Sequence, residues 1–311
     1  MTTNMTLKQV RIIDPVLSAV AVGYSNPAFI GQEILPAVPV FAAGGQIISF
    51  GKEAFLAYNL RRAPGGKVKR VALGYAGLPY ALVQDALEIP IPFEHQRDAA
   101  AVLSLNLQSR ATKKAMEIAK KSLEYDIATL VTTAANYAGT NKVTLAGGTK
   151  WSSGTGTPVT DFDVGREAVR SQVGVYPNTA WFSPVAWTAF KNNAQLVDRF
   201  KYTNTKGGVT PDMVKDVLQV DKIVIGAAVT ASDAGVMSDL WGNNAGLAYV
   251  PTAPEDADTP GFGFTYTMDG HPLAEEPYYD HGHKSWIVPV TYERNPVLAA
   301  ANAGYLFTNP N

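Results

Sequence analysis

The pattern of apolar and polar residues predicts a chain of five successive segments. In the first, residues 1–45, isolated apolar residues alternate with proline and glycine, as in "NPAFIGQEILPAVPVFAAGG". Proline disfavours both helix interiors and central strands, so we expect an extended arm. An arm of this kind cannot close a core alone, and we expect it to lie across a neighbouring protein surface. The apolar residues assigned to that contact are Phe29, Ile30, Ile34 and Leu35.

Residues 46–92 show the alternation of strands on both sides of a Pro64-Gly65-Gly66 turn, which predicts an extended two-stranded ribbon. An isolated ribbon is marginally stable in water and needs a partner surface. Its tip, "NLRRAPGGKVKRV", is basic, and three interpretations are open: a contact with a neighbouring subunit, which we favour, a nucleic-acid contact, or a solvated turn. The basic residues of the tip are Arg61, Arg62, Lys67, Lys69 and Arg70.

A long helix is predicted from Asp98 to Tyr137, about 60 Å at 1.5 Å per residue, with a potential interruption near Asn106. Most lysines of this stretch, together with Glu124, are expected off its apolar face. That face repeats at steps of three or four residues and consists of Thr112, Met116, Ala119, Leu123, Ile127, Leu130, Ala134 and Tyr137.

Shorter elements follow the long helix. A second helix is predicted from a cap at Thr160 or Asp161 to about Gln172, then a strand in "TAWFS", then a helix capped by Ser183 with Pro184 at its first position. Residues 204–282 are expected to form a mixed α+β region with a helix in "TPDMVKDVLQ". The final "KSWIVPVTYERNPVLAAANAGYLFTN" predicts two strands or one long bent strand.

Composition narrows the possible partners. The chain has 311 residues, a net charge of −1, no cysteine and 17% charged residues, against about 25% in ordinary soluble proteins. The low charge indicates a surface that faces other protein, and the balance of charge excludes a global field for a polyanion or a membrane. There is no apolar run of 18 residues and no convincing leader at the start, which predicts a protein of the cytoplasm without a membrane span.

Candidate chemistry is sparse. The sequence lacks a phosphate-binding loop and a Gly-x-Ser-x-Gly elbow, and without cysteine it has no thiol nucleophile. The most suggestive cluster is "HPLAEEPYYDHGHKSW", where His271, His281 and His283 lie among carboxylates and could be interpreted as a metal-dependent hydrolase. We prefer an exposed polar loop, because no helix fixes the histidine spacing. We predict no catalytic, cofactor or metal residues and no enzyme.

The order of the parts resembles that of the major capsid protein of tailed bacteriophages, the Hong Kong 97 capsid fold. The resemblance rests on "YSNPAFIGQEILPAVPV" as arm, the basic tip as part of an extension loop, and "YALVQDALEIPIP" leading into a spine helix. It continues in "DVGREAVRSQVGVYPNTAWFSPVAWTAFKNN" and the returning "WIVPVTYERNPVLAAANAGYLFTN". It implies an α+β fold with an N-terminal arm (1–45), an extension loop or β-hairpin (46–92), a peripheral domain with the spine helix (93–182), an inserted axial domain (183–282) and return strands of the peripheral domain (283–311).

The function that this resemblance implies is self-assembly into the icosahedral head shell of a virion. Many copies, as pentamers and hexamers, would enclose double-stranded DNA without sequence-specific binding after assembly in the host cytoplasm. The implied partners are a separate scaffolding protein, a portal protein and, in some relatives, a decoration protein. No membrane or cofactor is expected. The alternatives are an encapsulin-type nanocompartment shell and the hydrolase centred on His271, His281 and His283.

Overall fold

The computed structural model describes residues 26–50, 61, 75–102, 106–200, 209–232, 234–251 and 261–311, and shows a mixed α+β fold. The helices are α1 (Gly31–Ile34), α2 (Phe93–Val102), α3 (Leu107–Thr132), α4 (Pro158–Val173), α5 (Pro184–Lys191), α6 (Ala194–Phe200) and α7 (Pro211–Leu218). The strands are β1 (Ala37–Val40), β2 (Gly44–Phe50), β3 (Tyr75–Ala81), β4 (Val83–Pro92), β5 (Lys142–Thr144), β6 (Thr179–Phe182), β7 (Lys222–Ile225), β8 (Val229–Ala231), β9 (Met237–Asp239), β10 (Asn244–Ala248), β11 (Phe264–Met268), β12 (Leu273–Ala274), β13 (Tyr278–Asp280), β14 (Ser285–Val297) and β15 (Gly304–Thr308).

Local capping chemistry sets several helix limits. The predicted interruption of the long helix is confirmed: α3 begins after Asn106, whose side chain accepts a hydrogen bond from the Ser109 backbone nitrogen at 3.0 Å. It ends at Thr132, five residues before the predicted Tyr137. The predicted start of α5 is also confirmed, since Ser183 Oγ accepts from the Ala186 nitrogen at 3.2 Å. The predicted cap of α4 was wrong, because that helix begins at Pro158, ahead of Thr160.

A five-stranded sheet has the order β5-β15-β10-β6-β7 and is covered on both faces. Alternate residues of β6 point in opposite directions, so Trp181 joins one apolar cluster while Ala180 and Phe182 join the other. Strand β15 repeats the pattern with Leu306 on one side and Phe307 on the other. Helices α4, α5, α6 and α7 supply the cover on the Phe182 side.

A six-stranded sheet is organised around β14, the longest strand in the described part of the chain. Strand β14 pairs antiparallel with β4, β11, β12 and β13, and β1 pairs parallel with β11. Helix α3 packs on this sheet through Ala111, Ala115 and Met116. We call the six-stranded sheet together with α3 the body of the subunit.

The predicted ribbon is confirmed only near its base. Strands β2 and β3 pair antiparallel, with Gly44 opposite Ala81 and Phe50 opposite Tyr75, and form a separate two-stranded sheet. After Leu82 the chain leaves the ribbon, because β4 pairs with β14 over ten residue pairs. Residues 83–92 therefore belong to the six-stranded sheet. The hairpin tip lies outside the described residues except for Arg61.

The sheets group the chain differently from the predicted segments. Strands β5, β6 and β15, which fall within the segments 93–182 and 283–311, share one sheet with β7 and β10. Conversely, β11, β12 and β13 from the segment 183–282 pair with β14 in the six-stranded sheet. The two expected return strands exist, and each enters a different sheet. Long-range pairing of this kind is not visible in local periodicity.

Candidate assembly surfaces

The arm is bound to the spine helix α3 by one buried carboxylate. Glu124 is 2% exposed and accepts hydrogen bonds from the backbone nitrogens of Ile30 at 2.9 Å and Gly31 at 2.7 Å. It also accepts from Trp241 Nε1 at 2.8 Å, in the loop between β9 and β10. We call Glu124 with these three donors the arm clamp. It joins three segments that are far apart in sequence.

The electrostatics of the arm clamp combine two opposing effects. Burial raises the pKa of the Glu124 carboxyl, while the hydrogen bonds from Ile30, Gly31 and Trp241 oppose that rise. The nearby charge of Glu33 adds to the rise. Three donors converge on two oxygens, so a buried acceptor is required here, and a side chain without one would leave backbone nitrogens unpaired.

Gly31 is required by the close approach of the arm. A Cβ at this position would lie 2.6 Å from Glu124 Oε2 and 2.9 Å from Ile127 Cδ1. Farther along the arm, Thr265 Oγ1 donates to the Leu35 carbonyl at 2.9 Å, and β1 then pairs with β11. The arm from residue 26 to residue 40 is thus docked by backbone contacts along its length.

The arm residues expected to contact a neighbouring subunit lie mostly inside their own subunit. Ile30, Ile34 and Leu35 are 3%, 0% and 0% exposed and pack with Leu123, Ile127 and other residues of one cluster. This differs from the prediction because the apolar face of α3 is covered by the arm of the same subunit, and the sequence located that face without indicating what covers it. Phe29 is half-buried, and its contact with a neighbour stays a prediction.

Beside the base of the ribbon, a buried arginine forms an ion pair between β14 and β4. Arg294 on β14 is 3% exposed, and its Nη2 donates to Asp85 Oδ2 on β4 at 2.5 Å. Its guanidinium carbon lies 4.8 Å from the centre of the Tyr292 ring. Asn295 Nδ2 donates to the Ala81 carbonyl at the end of β3 at 2.8 Å. The hydrogen bond from Asn295 thus joins the end of the ribbon strand β3 to β14.

A cluster of arginine, tyrosine and glutamate lies on the outer side of α4. The guanidinium carbons of Arg166 and Arg170 lie 4.9 Å and 5.6 Å from the centre of the Tyr176 ring. Tyr176 donates to Glu167 Oε1 at 2.8 Å, and Arg170 pairs with Glu167 Oε2 at 2.6 Å. The pKa of Glu167 is lowered, and the hydrogen bond from Arg170 is the largest cause, with the hydrogen bond from Tyr176 second. Tyrosine and arginine held in place in this way are typical of protein interfaces.

The three histidines of the hydrolase hypothesis occupy two separate turns. His271 Nδ1 accepts from the Glu293 nitrogen at 3.2 Å, and His283 Nδ1 lies 2.6 Å from Asp280 Oδ2. The hydrogen bond with His283 is the main cause that lowers the pKa of Asp280. His281 packs edge-on against Tyr279. No three metal-ligating side chains among the described residues are grouped to hold an ion.

Two other expectations concern membranes and the basic tip. Among the helices of the described segments, none combines the length and the apolar character that crossing a bilayer requires. Arg61, the one described residue of the tip, is exposed. Arg62, Lys67, Lys69 and Arg70 lie outside the described residues, so the role of the tip stays a prediction.

Comparison with known proteins gives one consistent family. Residues 114–261 match the model of the phage major capsid protein E family. The major capsid protein of Burkholderia phage BcepMu is 34% identical over 310 residues, which cover 98% of this chain and 99% of the relative. The crystal structure of a phage-related protein from Bordetella bronchiseptica has a TM-score of 0.84 and 37% identity, and covers 97% of this chain and 99% of that one.

A more distant capsid extends the likeness in fold. The capsid structure of cyanophage P-SCSP1u gives a TM-score of 0.59 at 12% identity, with 92% of this chain and 89% of that chain covered. At this level of identity the likeness concerns the fold, which is the Hong Kong 97 capsid fold expected from the sequence. Since the full-length identity to the BcepMu protein is far higher, the chain belongs to the phage major capsid proteins, which form the shell of the virion.

Proposed function

We propose that this subunit builds the icosahedral head shell through contacts made by its ribbon, by the Tyr176 cluster beside α4 and by Phe29 at the start of the arm. The observation that carries the proposal is the match of nearly the whole chain to a phage major capsid protein at 34% identity. Many copies of the chain enclose double-stranded DNA, and the protein acts as a structural component without catalytic activity. The six-stranded sheet with α3 corresponds to the peripheral domain, and the five-stranded sheet to the axial domain.

The ribbon is the element whose structure most requires a neighbour. Two strands without a covering layer are marginally stable in water, and β2 and β3 pair only with each other. Phe41, at the turn before β2, is 86% exposed. We propose that the ribbon lies on an adjacent subunit and that Arg61, Arg62, Lys67, Lys69 and Arg70 meet acidic groups there. Charge complementarity of this kind fixes the register between subunits.

Other uncovered apolar groups support self-association. On the hairpin formed by β8 and β9, Val229 and Met237 are 39% and 63% exposed on one face, and Val236 is 64% exposed at the turn. The Tyr176 cluster on α4 is a further candidate, and so is Phe29. Burial of such groups between copies would supply modest stabilisation at each contact, and a closed shell repeats each contact many times.

Three partners besides the chain itself belong to the proposal. We propose a separate scaffolding protein during assembly, a portal protein at one vertex and, as an optional addition, a decoration protein on the outside. Each follows from the mode of assembly of phage heads that the family implies. None requires a cofactor or a membrane.

The test is production of the protein with its phage gene cluster, followed by electron microscopy and analysis of particle contents. We expect closed, uniform shells that contain double-stranded DNA after packaging. Particles that enclose an enzyme in place of DNA would establish the encapsulin alternative. A hydrolase would require bound metal that survives dialysis and activity that is lost in His283→Ala. A monomer that forms no particles under any condition would refute the proposal.

A further inference from the structure

The N-terminal half of the spine helix α3 carries positive charge on its solvent side. With about 3.6 residues per turn, these charges lie opposite Thr112 and Ala115, which are fully buried. Ala115 packs with Val290 of β14, so the charged side faces away from the six-stranded sheet. All five members are exposed or half-buried. We call them the basic stripe: Arg110, Lys113, Lys114, Glu117 and Lys121.

Most of the positive charge of the basic stripe is not neutralised within the subunit. Lys114 pairs with Glu117 at 2.8 Å, which cancels one cation. Arg110, Lys113 and Lys121 form no salt bridge with any residue that the structure describes. By contrast, three surface cations outside α3 each pair with a carboxylate: Arg170, Lys215 and Lys222. The stripe thus keeps three positive charges available for a partner.

The composition of the basic stripe fits a polyanion better than a protein. The cores of protein interfaces are depleted in lysine and enriched in aromatic and apolar residues. Here lysine dominates, and the exposed Ile118 lies on the flank of the stripe. One apolar side chain does not form the dry core that a protein contact requires. Lysine instead binds phosphate as a point charge, in contacts that carry no sequence information.

The length of the basic stripe suits a DNA duplex. From Arg110 to Lys121 the helix rises about 16 Å at 1.5 Å per residue. A duplex carries one negative charge per about 1.7 Å of its axis, so this length faces about ten phosphate charges. The helix is fixed on the sheet, and the long side chains can adapt to whichever phosphates lie nearest. A duplex of any sequence therefore meets the same three unpaired cations.

We propose that the basic stripe lines the inside of the shell and binds the phosphate backbone of the enclosed double-stranded DNA. The inference rests on the capsid function proposed above and deepens it by stating which face of the subunit turns toward the DNA. The contact is local, since the whole chain has a net charge of −1. It leaves the ribbon and the Tyr176 cluster free for contacts between subunits.

The first experiment measures how salt weakens binding of the unassembled subunit to duplex DNA of mixed sequence, by fluorescence anisotropy. The variant carries Arg110→Gln, Lys113→Gln and Lys121→Gln together. Each phosphate contact contributes about 0.9 to the slope of log K against log salt concentration, so we expect the slope to become shallower by about 2–3. Glutamine is nearly as good a helix former as lysine and arginine. Urea unfolding should therefore match wild type.

The matched control removes the same number of cations from other elements. Lys191 ends α5, Arg199 lies in α6 and Lys284 precedes β14, and we expect their joint replacement by glutamine to leave the slope unchanged. An equal change in this control, or an unchanged slope in the stripe variant, would overturn the inference. So would a slope that changes only when the five basic residues of the ribbon tip are replaced, because the DNA contact would then belong to the tip.

The second experiment tests the contact in the assembled particle. Formaldehyde treatment of DNA-filled particles, followed by nuclease and protease digestion and mass spectrometry, should yield nucleotide adducts on Lys113 and Lys121, with empty shells as the blank. Adducts to protein only, or none, would overturn the proposal. Shell formation is scored separately by microscopy. Normal shells that hold DNA without adducts on these lysines would reject the stripe and leave the capsid function standing.

Discussion

At the scale of single residues, Glu124 determines where the arm lies. Its carboxylate is the common acceptor for Ile30, Gly31 and Trp241, and no other described side chain is hydrogen-bonded to those two arm nitrogens. The sequence placed Glu124 outside the apolar face of the long helix, because a glutamate among lysines is usually solvated. Its donors lie 94, 93 and 117 residues away, and no local pattern could have identified them.

Replacement of Glu124 by glutamine should loosen the arm. The glutamine amide has one oxygen where the carboxylate has two. Its NH2 group would therefore face a backbone N–H group that accepts no hydrogen bond and that has a carboxylate oxygen as its partner in the wild type. We expect Glu124→Gln to lower the free energy of unfolding of the subunit by about 1–3 kcal/mol, the usual result of an unpaired buried donor. Urea denaturation measures this, and Glu117→Gln, an exposed change on the same helix, is the control. Equal stability of the two variants would contradict the role of the clamp.

The stability difference between wild type and Glu124→Gln should depend on pH. Burial raises the pKa of Glu124 above its ordinary value of 4.5, so the folded state takes up this proton before the unfolded state does. As pH falls through the folded pKa toward 4.5, this group should therefore favour the folded subunit. The advantage of wild type over the variant should grow over that window in paired urea titrations. An advantage that shrinks would show that the three donors outweigh burial.

At the scale of elements, the N-cap of α3 separates it from α2 and fixes the start of the spine helix. Asn106→Ala removes the acceptor for the Ser109 nitrogen, and such changes lower stability by about 0.5–2 kcal/mol. We expect a loss of that size in thermal or urea unfolding, with some loss of helical circular dichroism. Asn106→Asp, which retains the acceptor, should behave as wild type. A loss as large in Asn106→Asp would exclude capping as the cause.

Elements set by local chemistry were predictable from the sequence. The break at Asn106, the Ser183-Pro184 start of α5 and the apolar face of α3 all follow from capping or periodicity within a few residues. Strand β4 was misassigned to the ribbon, since its alternation is the same whether it continues the second strand of the ribbon or pairs with β14. The buried position of Ile34 and Leu35 was missed for a similar reason: apolar character predicts burial without indicating what covers it.

At the scale of the whole molecule, the arm, α3 and both sheets share one core. Leu35 from the arm, Ile127 from α3, Trp181 from the five-stranded sheet and Tyr292 from β14 belong to the same cluster. One set of buried side chains therefore joins the arm, α3 and the two larger sheets. Strands β2 and β3 form a separate two-stranded sheet, as β8 and β9 do, and the ribbon side chains that the structure describes are not members of that cluster.

Deletion of residues 60–68 should therefore spare the subunit and impair the shell. Residues 60–68 lie in sequence between β2 and β3, and the described residues of the shared cluster come from the arm, α3, the two larger sheets and the loops beside them. We expect a soluble subunit with a near-normal melting temperature and a much lower yield of mature shells in electron microscopy. A loss of about 1.4 kcal/mol at each contact would already weaken that contact about tenfold, and the shell repeats it in every subunit. Unchanged yield and heat resistance of the particles would contradict the intersubunit role.

A charge-only variant separates the two properties of the tip. Replacing Arg61, Arg62, Lys67, Lys69 and Arg70 by glutamine keeps the length of the hairpin and removes its charge. If electrostatic complementarity sets the register, this variant should assemble poorly, and wild-type assembly should weaken as salt is raised. Normal assembly of the glutamine variant together with failure of the deletion would assign the contact to the backbone and apolar groups of the tip. The arginines and lysines would then be solvated, and the neighbour would need no acidic partner for them.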